Sequence, residues 1–153
     1  MPTRDSLIAL PDGALEAQCE IDRYRASGPG GQHRNKTESA IRLRHRTTGV
    51  TVHADESRSQ SENRGVAVRR LREALALEVR EPVALEGWAP SAALRALVDG
   101  GVARLGQKTR QKPEFLIPFA ELLDVFVACG AEVAATAAQL GVSTGACSRL
   151  LLV

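Results

Sequence analysis

Aromatic side chains and cysteines are scarce in this sequence, and each scarcity narrows what the chain can do. One Trp, one Tyr and three Phe leave few platforms on which bases could stack, which argues against single-strand recognition through exposed aromatics. Cys19, Cys129 and Cys147 are odd in number and far apart, form no Cys-x-x-Cys pair, and the histidines at 33, 45 and 53 lack zinc-ligand spacing. A disulfide framework and a zinc site are therefore not expected, no cofactor is implied, and a reducing cytoplasm is the expected compartment. No apolar run approaches the roughly 18 residues of a membrane span. The start, Met1 to Leu10, has no basic region ahead of an apolar stretch, so neither membrane insertion nor secretion is expected.

With 153 residues the chain is one ordinary domain, or one domain with a small appendage. A chain of this length buries roughly 70% of the surface it exposes when unfolded, enough for a core without staples. The formal net charge of +2 hides an uneven layout. From Arg23 to Arg46, seven cations (Arg23, Arg25, Arg34, Lys36, Arg42, Arg44, Arg46) face Glu38 alone, and Arg104, Lys108, Arg110 and Lys112 form a second acid-free run. Beyond Lys112 the balance reverses, with Glu114, Glu121, Asp124 and Glu132 against Arg149. A polyanionic partner would thus meet the first half and the connector. Arginine dominates the cations, and its planar fork suits phosphate oxygens; a genome rich in G and C would enrich it for an unrelated reason.

Hydrophobic periodicity predicts an α+β fold. Cys19 to Arg25 reads as a strand, and Ser27 to Gln32 as a loop. Ile41, Leu43 and His45 alternate with Arg42, Arg44 and Arg46, so one face is core and the other cationic. Thr47-Thr48-Gly49 offers a turn into a return strand through Val50, Val52 and Ala54, giving an antiparallel hairpin within a small mixed sheet. From Ser59 to Arg80 the period changes: Val68, Leu71, Leu75 and Val79 form the stripe of a helix packed on the sheet. Pro82, Gly87 and Pro90 then interrupt the pattern. The expected organisation is an α+β domain over 1–80, a basic linker with a short helix over 81–112, with Arg104 to Lys112 exposed and mobile, and an all-helical module over 113–153. In that module a helix to Leu140, a turn at Gly141, an N-capping Ser143 and a second helix resemble a helix-turn-helix. A regulator of nucleic acid would need a basic recognition helix, and Thr144 to Leu152 offers only Arg149.

Gly28, Gly30 and Gly31 let a backbone reach conformations and close approaches that a Cβ forbids. Rossmann and Walker spacings both fail, because no third glycine follows at the dinucleotide offset and no Gly-Lys-Ser/Thr ends the run. As composition alone, Gly-Pro-Gly-Gly is a flexible turn or a binding loop. Its context is more specific. Gly28-Pro29-Gly30-Gly31-Gln32-His33-Arg34-Asn35-Lys36-Thr37-Glu38-Ser39-Ala40-Ile41-Arg42-Leu43 resembles the Gly-Gly-Gln domain of peptide chain release factors and their ribosome-rescue relatives. The likeness runs on through Thr48-Gly49-Val50 to Arg58-Ser59-Gln60 and Asn63-Arg64, and Ile8 to Glu16 is similar to the entry segment of the short rescue hydrolases.

The resemblance implies hydrolysis of the ester joining nascent peptide to P-site tRNA, with water as nucleophile and the rRNA of the peptidyl-transferase centre around it. It makes Gly30, Gly31 and Gln32 the catalytic residues: bare backbone to enter a narrow pocket, a Gln32 N–H to stabilise developing charge, and a Gln32 side chain to position water. It also implies modification of Gln32 by a glutamine methyltransferase. His33, a tempting general base, is left to stack on or contact RNA, and His45 and His53 are read as structural. Arg23, Arg25, Arg34, Lys36, Arg42 and Arg44 are expected to neutralise rRNA or tRNA phosphates. Arg58, Ser59, Gln60 and Asn63 join them as RNA-contacting positions through the family's motif.

Decoding release factors carry a separate codon-reading domain, for which no matching segment is found, and short rescue hydrolases carry a long basic tail, for which only Arg104 to Lys112 compares. Codon-independent release is the leading expectation. A non-catalytic ribosome- or RNA-binding protein, and a regulator acting through the helix-turn-helix-like segment, stay open. Cys129 and Cys147 fall in apolar helical patterns and are expected to pack.

Overall fold

The computed structural model describes residues 1–25, 38–100 and 106–152. The chain divides into two compact units, Met1–Val79 and Arg80–Val153.

In the first unit, α1 (Arg4–Ile8) and α2 (Asp12–Glu16) precede β1 (Cys19–Tyr24), β2 (Ala40–His45) and β3 (Thr51–Ala54), and α3 (Gln60–Glu78) closes the unit. The strands form one sheet in the order β1-β2-β3, antiparallel at both pairings. The α+β class is as expected, but the described strands make a purely antiparallel sheet where a mixed one was anticipated. Alternation along β2 decides which face is core: Ile41, Leu43 and His45 are buried, whereas Arg42 and Arg44 are exposed. Val68, Leu71 and Leu75 of α3 are buried, and the helix packs on β2 and β3 and carries α1 and α2 on its flank. Val79, the fourth member of the expected stripe, is instead the residue that ends the helix.

Helices as short as α1 and α2 have too little length to show a 3.6-residue period, and the sequence did not reveal them. Arginines hold them in place. Arg72, buried in α3, donates from Nε to the Ile8 carbonyl at 3.0 Å and from Nη2 to the Leu10 carbonyl at 2.9 Å and the Asp12 carboxylate at 2.8 Å. Arg4 donates to the Val79 carbonyl at 3.1 Å, and Arg64 pairs with Glu16. Arg4 and Arg72 thus bind backbone carbonyls of their own unit.

His45 confirms a structural role. It is fully buried; the Thr48 N–H donates to Nδ1 at 3.3 Å, and Nε2 stands 2.9 Å from the Gln18 Oε1. A ring accepting at Nδ1 donates from Nε2, so the neutral tautomer satisfies both partners. Burial pushes its pKa below the ordinary imidazole value. An unfolded His therefore takes up a proton at a pH where folded His45 does not. Stability is full above the ordinary histidine range and falls as pH drops through it. The urea midpoint of the wild type should fall between pH 7.5 and 5.5 by more than that of His45→Gln, which keeps the other two histidines; equal falls would remove this assignment.

The second unit contains α4 (Ala92–Gly100), α5 (Gln107–Arg110), α6 (Pro113–Ala128), α7 (Val133–Leu140) and α8 (Thr144–Leu151). Here α4 packs on α6, α6 on α7 and α7 on α8, around Leu94, Leu116, Leu122, Val125, Leu140 and Leu150. Phe115 and Phe119 stack with ring centroids 5.4 Å apart. The described part of the segment expected as a linker makes defined contacts. Ser91 caps α4 by accepting the Leu94 N–H at 3.1 Å, and its own N–H donates to Glu121 at 2.9 Å. Arg80 and the Glu81 N–H both reach the buried Asp124 carboxylate at 3.0 Å. Alternating Pro and Gly hid this packing, because the side chains involved follow no period. Of the basic run, Arg104 lies outside the described residues, and Lys108 and Arg110 stand on the one-turn α5.

Gly141, at φ 68°, turns the chain between α7 and α8, and the Ser143 hydroxyl accepts the Ala146 N–H at 3.1 Å. This is the turn and cap the sequence signalled. Cys147 is buried within α8, and burial, with a smaller contribution from Cys129, raises its pKa. That environment suits a packing residue.

Candidate nucleic-acid interface and catalytic loop

Gly30, Gly31, Gln32, His33, Arg34 and Lys36 lie outside the described residues. What the structure describes is the stem on which that segment is mounted. The ladder between β1 and β2 runs from Cys19 opposite His45 to Tyr24 opposite Ala40, so the chain leaves and re-enters the sheet at neighbouring points.

The antiparallel register also sorts the cations by face. Arg23 lies opposite Ile41, in register with the face that α3 covers, although its position at the strand end leaves it exposed. Arg42 and Arg44 project from the other face. Arg25 follows β1 and Arg58 precedes α3, both exposed. The cations are thus divided between faces, because residues 19 apart such as Arg23 and Arg42 are placed by pairing and parity.

Two carboxylates temper the cationic face. Asp22 stands opposite Arg42 and Glu20 opposite Arg44. Arg42 donates to Asp22 from Nη2 at 2.7 Å and from Nε at 3.1 Å, and the Arg44–Glu20 separation is 3.6 Å. The hydrogen bond that Arg42 donates to Asp22, and then the Asp22 charge, raise the Arg42 pKa above the usual value. A count of charge beginning at Arg23 missed both acids, which precede it in sequence and meet the arginines only through register. Both members of the Arg42–Asp22 pair remain more than half exposed, at 55% and 60%, so a phosphate can compete for the guanidinium at small cost. Exposed His53 lies opposite Arg42.

The motif residues at the start of α3 face the protein itself. The Ser59 hydroxyl caps the helix by accepting the Glu62 N–H at 3.3 Å, the Ser59 N–H donates to the Ser57 hydroxyl at 3.0 Å, and that hydroxyl bonds the Glu62 carboxylate. This is a capping box with Ser57 as relay. The Gln60 amide donates to the Glu38 carbonyl at 2.9 Å. Asn63 is fully buried, donates to the Ser39 and Ser57 carbonyls at 2.8 and 2.9 Å, and accepts the Ser57 N–H at 3.0 Å. Asn63, expected as an RNA-contacting position, thus has no exposed surface and an amide engaged on both sides within its own unit.

A family model described as the RF-1 domain matches residues 14–88. The chain is release-factor-like. Peptide chain release factor 1 of Acidiphilium cryptum (strain JF-5) is 51% identical over 69 residues, covering 45% of this chain and 20% of the relative. Peptide chain release factor 2 of Acidovorax sp. (strain JS42) is 59% identical over 77 residues, covering 46% and 21%. Peptide chain release factor 1 of Methylibium petroleiphilum is 41% identical over 100 residues, covering 62% and 27%. The matched stretch is thus a minor part of the length of each relative. Within this release-factor-like chain, the matched span takes in the first unit from α2 onward and the segment carrying Gly30-Gly31-Gln32.

Proposed function

We propose that the chain hydrolyses the peptidyl-tRNA ester on the ribosome, through Gly30, Gly31 and Gln32, without requiring a stop codon. The observation that carries this is the Gly-Gly-Gln sequence lying inside the residues matched by the release-factor domain. Two glycines remove side-chain bulk from a tip that must enter a pocket walled by RNA. The Gln32 N–H then supplies a donor aimed at the charge that develops as water attacks, and its side chain orients that water. Such a mechanism asks for no ionisable base. Modification of the Gln32 amide by a methyltransferase belongs to the same proposal.

Purified protein should release peptide from ribosomes holding P-site peptidyl-tRNA on a truncated message at least as fast as from stop-codon complexes. Release on neither complex would remove the hydrolase proposal, and release confined to the stop codon would remove its codon independence.

Exposed Arg42 and Arg44 make the binding contribution of the sheet testable. Each phosphate neutralised contributes about 0.7 to 0.9 to the slope of log affinity against log salt, and competition from Asp22 and Glu20 places the pair toward the lower end of what two cations can give. Arg42→Ala with Arg44→Ala should reduce the slope of ribosome binding by about 1. An unchanged slope in a pelleting assay would show that this face does not meet RNA.

A further inference from the structure

The carbonyls of Glu38 and Ser39 are consecutive, and both are held from one helix. They lie just before β2, where the chain returns from the segment carrying Gly30, Gly31 and Gln32. Gln60 and Asn63 are three residues apart in the first turn of α3 and so project from one side of it. Gln60 holds the Glu38 carbonyl at 2.9 Å and Asn63 the Ser39 carbonyl at 2.8 Å. The helix end from which they project is itself fixed by the Ser57–Ser59–Glu62 relay. Burial of a fold's interior does not demand this arrangement. Asn63 already closes the 57–63 turn through Ser57, whereas the Gln60 bond is exposed and contributes little to a core.

The geometry points to Gln60 and Asn63 as positioning residues that fix the returning stem of the catalytic loop, so that they govern the chemical step of peptide release without touching tRNA or ribosome. This rests on the hydrolase proposal above. A stem referenced to a 19-residue helix sets where the tip can present its N–H, and a misplacement of about 1 Å at a reacting centre can cost on the order of 10²-fold in rate.

The test uses the full chain and amide-to-acid substitutions, which keep side-chain size and remove the donor. Gln60→Glu should lower kcat for release by about 10- to 10²-fold, with KM for peptidyl-tRNA ribosomes within about twofold of wild type, the pattern of a lost transition-state contribution. Amide exchange at residues 38–42 should quicken while that of 68–75 in α3 stays unchanged. Asn63→Asp should act in the same direction and more strongly; if it unfolds, the variant at half-buried Gln60 still decides. An unchanged kcat, or a raised KM at constant kcat, as a direct RNA contact would give, overturns the inference. Should the wild type release no peptide, the hydrolase proposal fails separately, and exchange at 38–42 that is the same in both chains overturns the anchoring as well.

Discussion

Gln32→Pro should abolish most peptide release, with a rate loss of about 10²- to 10³-fold and ribosome binding retained. A proline removes the backbone N–H together with the Gln side chain, and a single preorganised backbone donor is worth about 3 to 4 kcal/mol in the transition state. Gln32→Ala provides the contrast. It keeps the N–H and removes only the side chain, so its loss should be clearly smaller, and it should admit nucleophiles larger than water. Gly31→Ala places a methyl group where bare backbone is required and should resemble the proline variant. Release rates measured at saturating ribosomes, beside binding by pelleting, separate the three. Equal rates for Gln32→Pro and Gln32→Ala would mean that the donor is not the backbone, and equal release by wild type and Gly31→Ala would remove the loop from the chemistry.

Arg72→Leu should destabilise the first unit by about 3 kcal/mol. Leucine keeps most of the buried aliphatic stem and deletes the charged head. Two charge-assisted bonds to the Ile8 and Leu10 carbonyls are each worth about 1.5 kcal/mol at the lower end of their range. The Asp12 partner is 65% exposed, so that ion pair adds little. For a unit of this size the change corresponds to a fall in Tm of roughly 12 to 24 °C. Exchange should quicken first over 4–16, the backbone that Arg72 holds, before the amides of β2. A loss below about 0.5 kcal/mol by urea denaturation would mean that α1 and α2 are held by apolar contacts through Leu7, Ile8 and Leu15 alone, all of them buried.

Legibility from sequence followed the physics of each element. The β2–turn–β3 hairpin was plain because Ile41, Leu43 and His45 repeat with the period of a pleated strand, and because Gly49, at φ 75°, stands where the turn needs a left-handed residue. The stripe along α3 was plain for the same reason at a period of 3.6. The five-residue helices α1 and α2 were not, since their positions depend on Arg72 reaching over from α3 and on Arg4 of α1 reaching out to the Val79 carbonyl. Nor was the packing of α4, where the Ser91–Glu121 contact joins residues 30 apart in sequence.

Residue identity alone determined that Gly30, Gly31 and Gln32 are contiguous, that cations crowd the flanks of that tripeptide, and that helix α3 begins at a serine followed three residues later by glutamate. These are local properties, written in composition and period. Only the tertiary structure decided that Asp22 and Glu20 stand against Arg42 and Arg44, that Arg23 lies across the sheet from them, and that Gln60 and Asn63 turn inward to grip the chain at 38 and 39. Strand register and helix packing bring together residues about 20 apart, and no local pattern encodes which of them will meet.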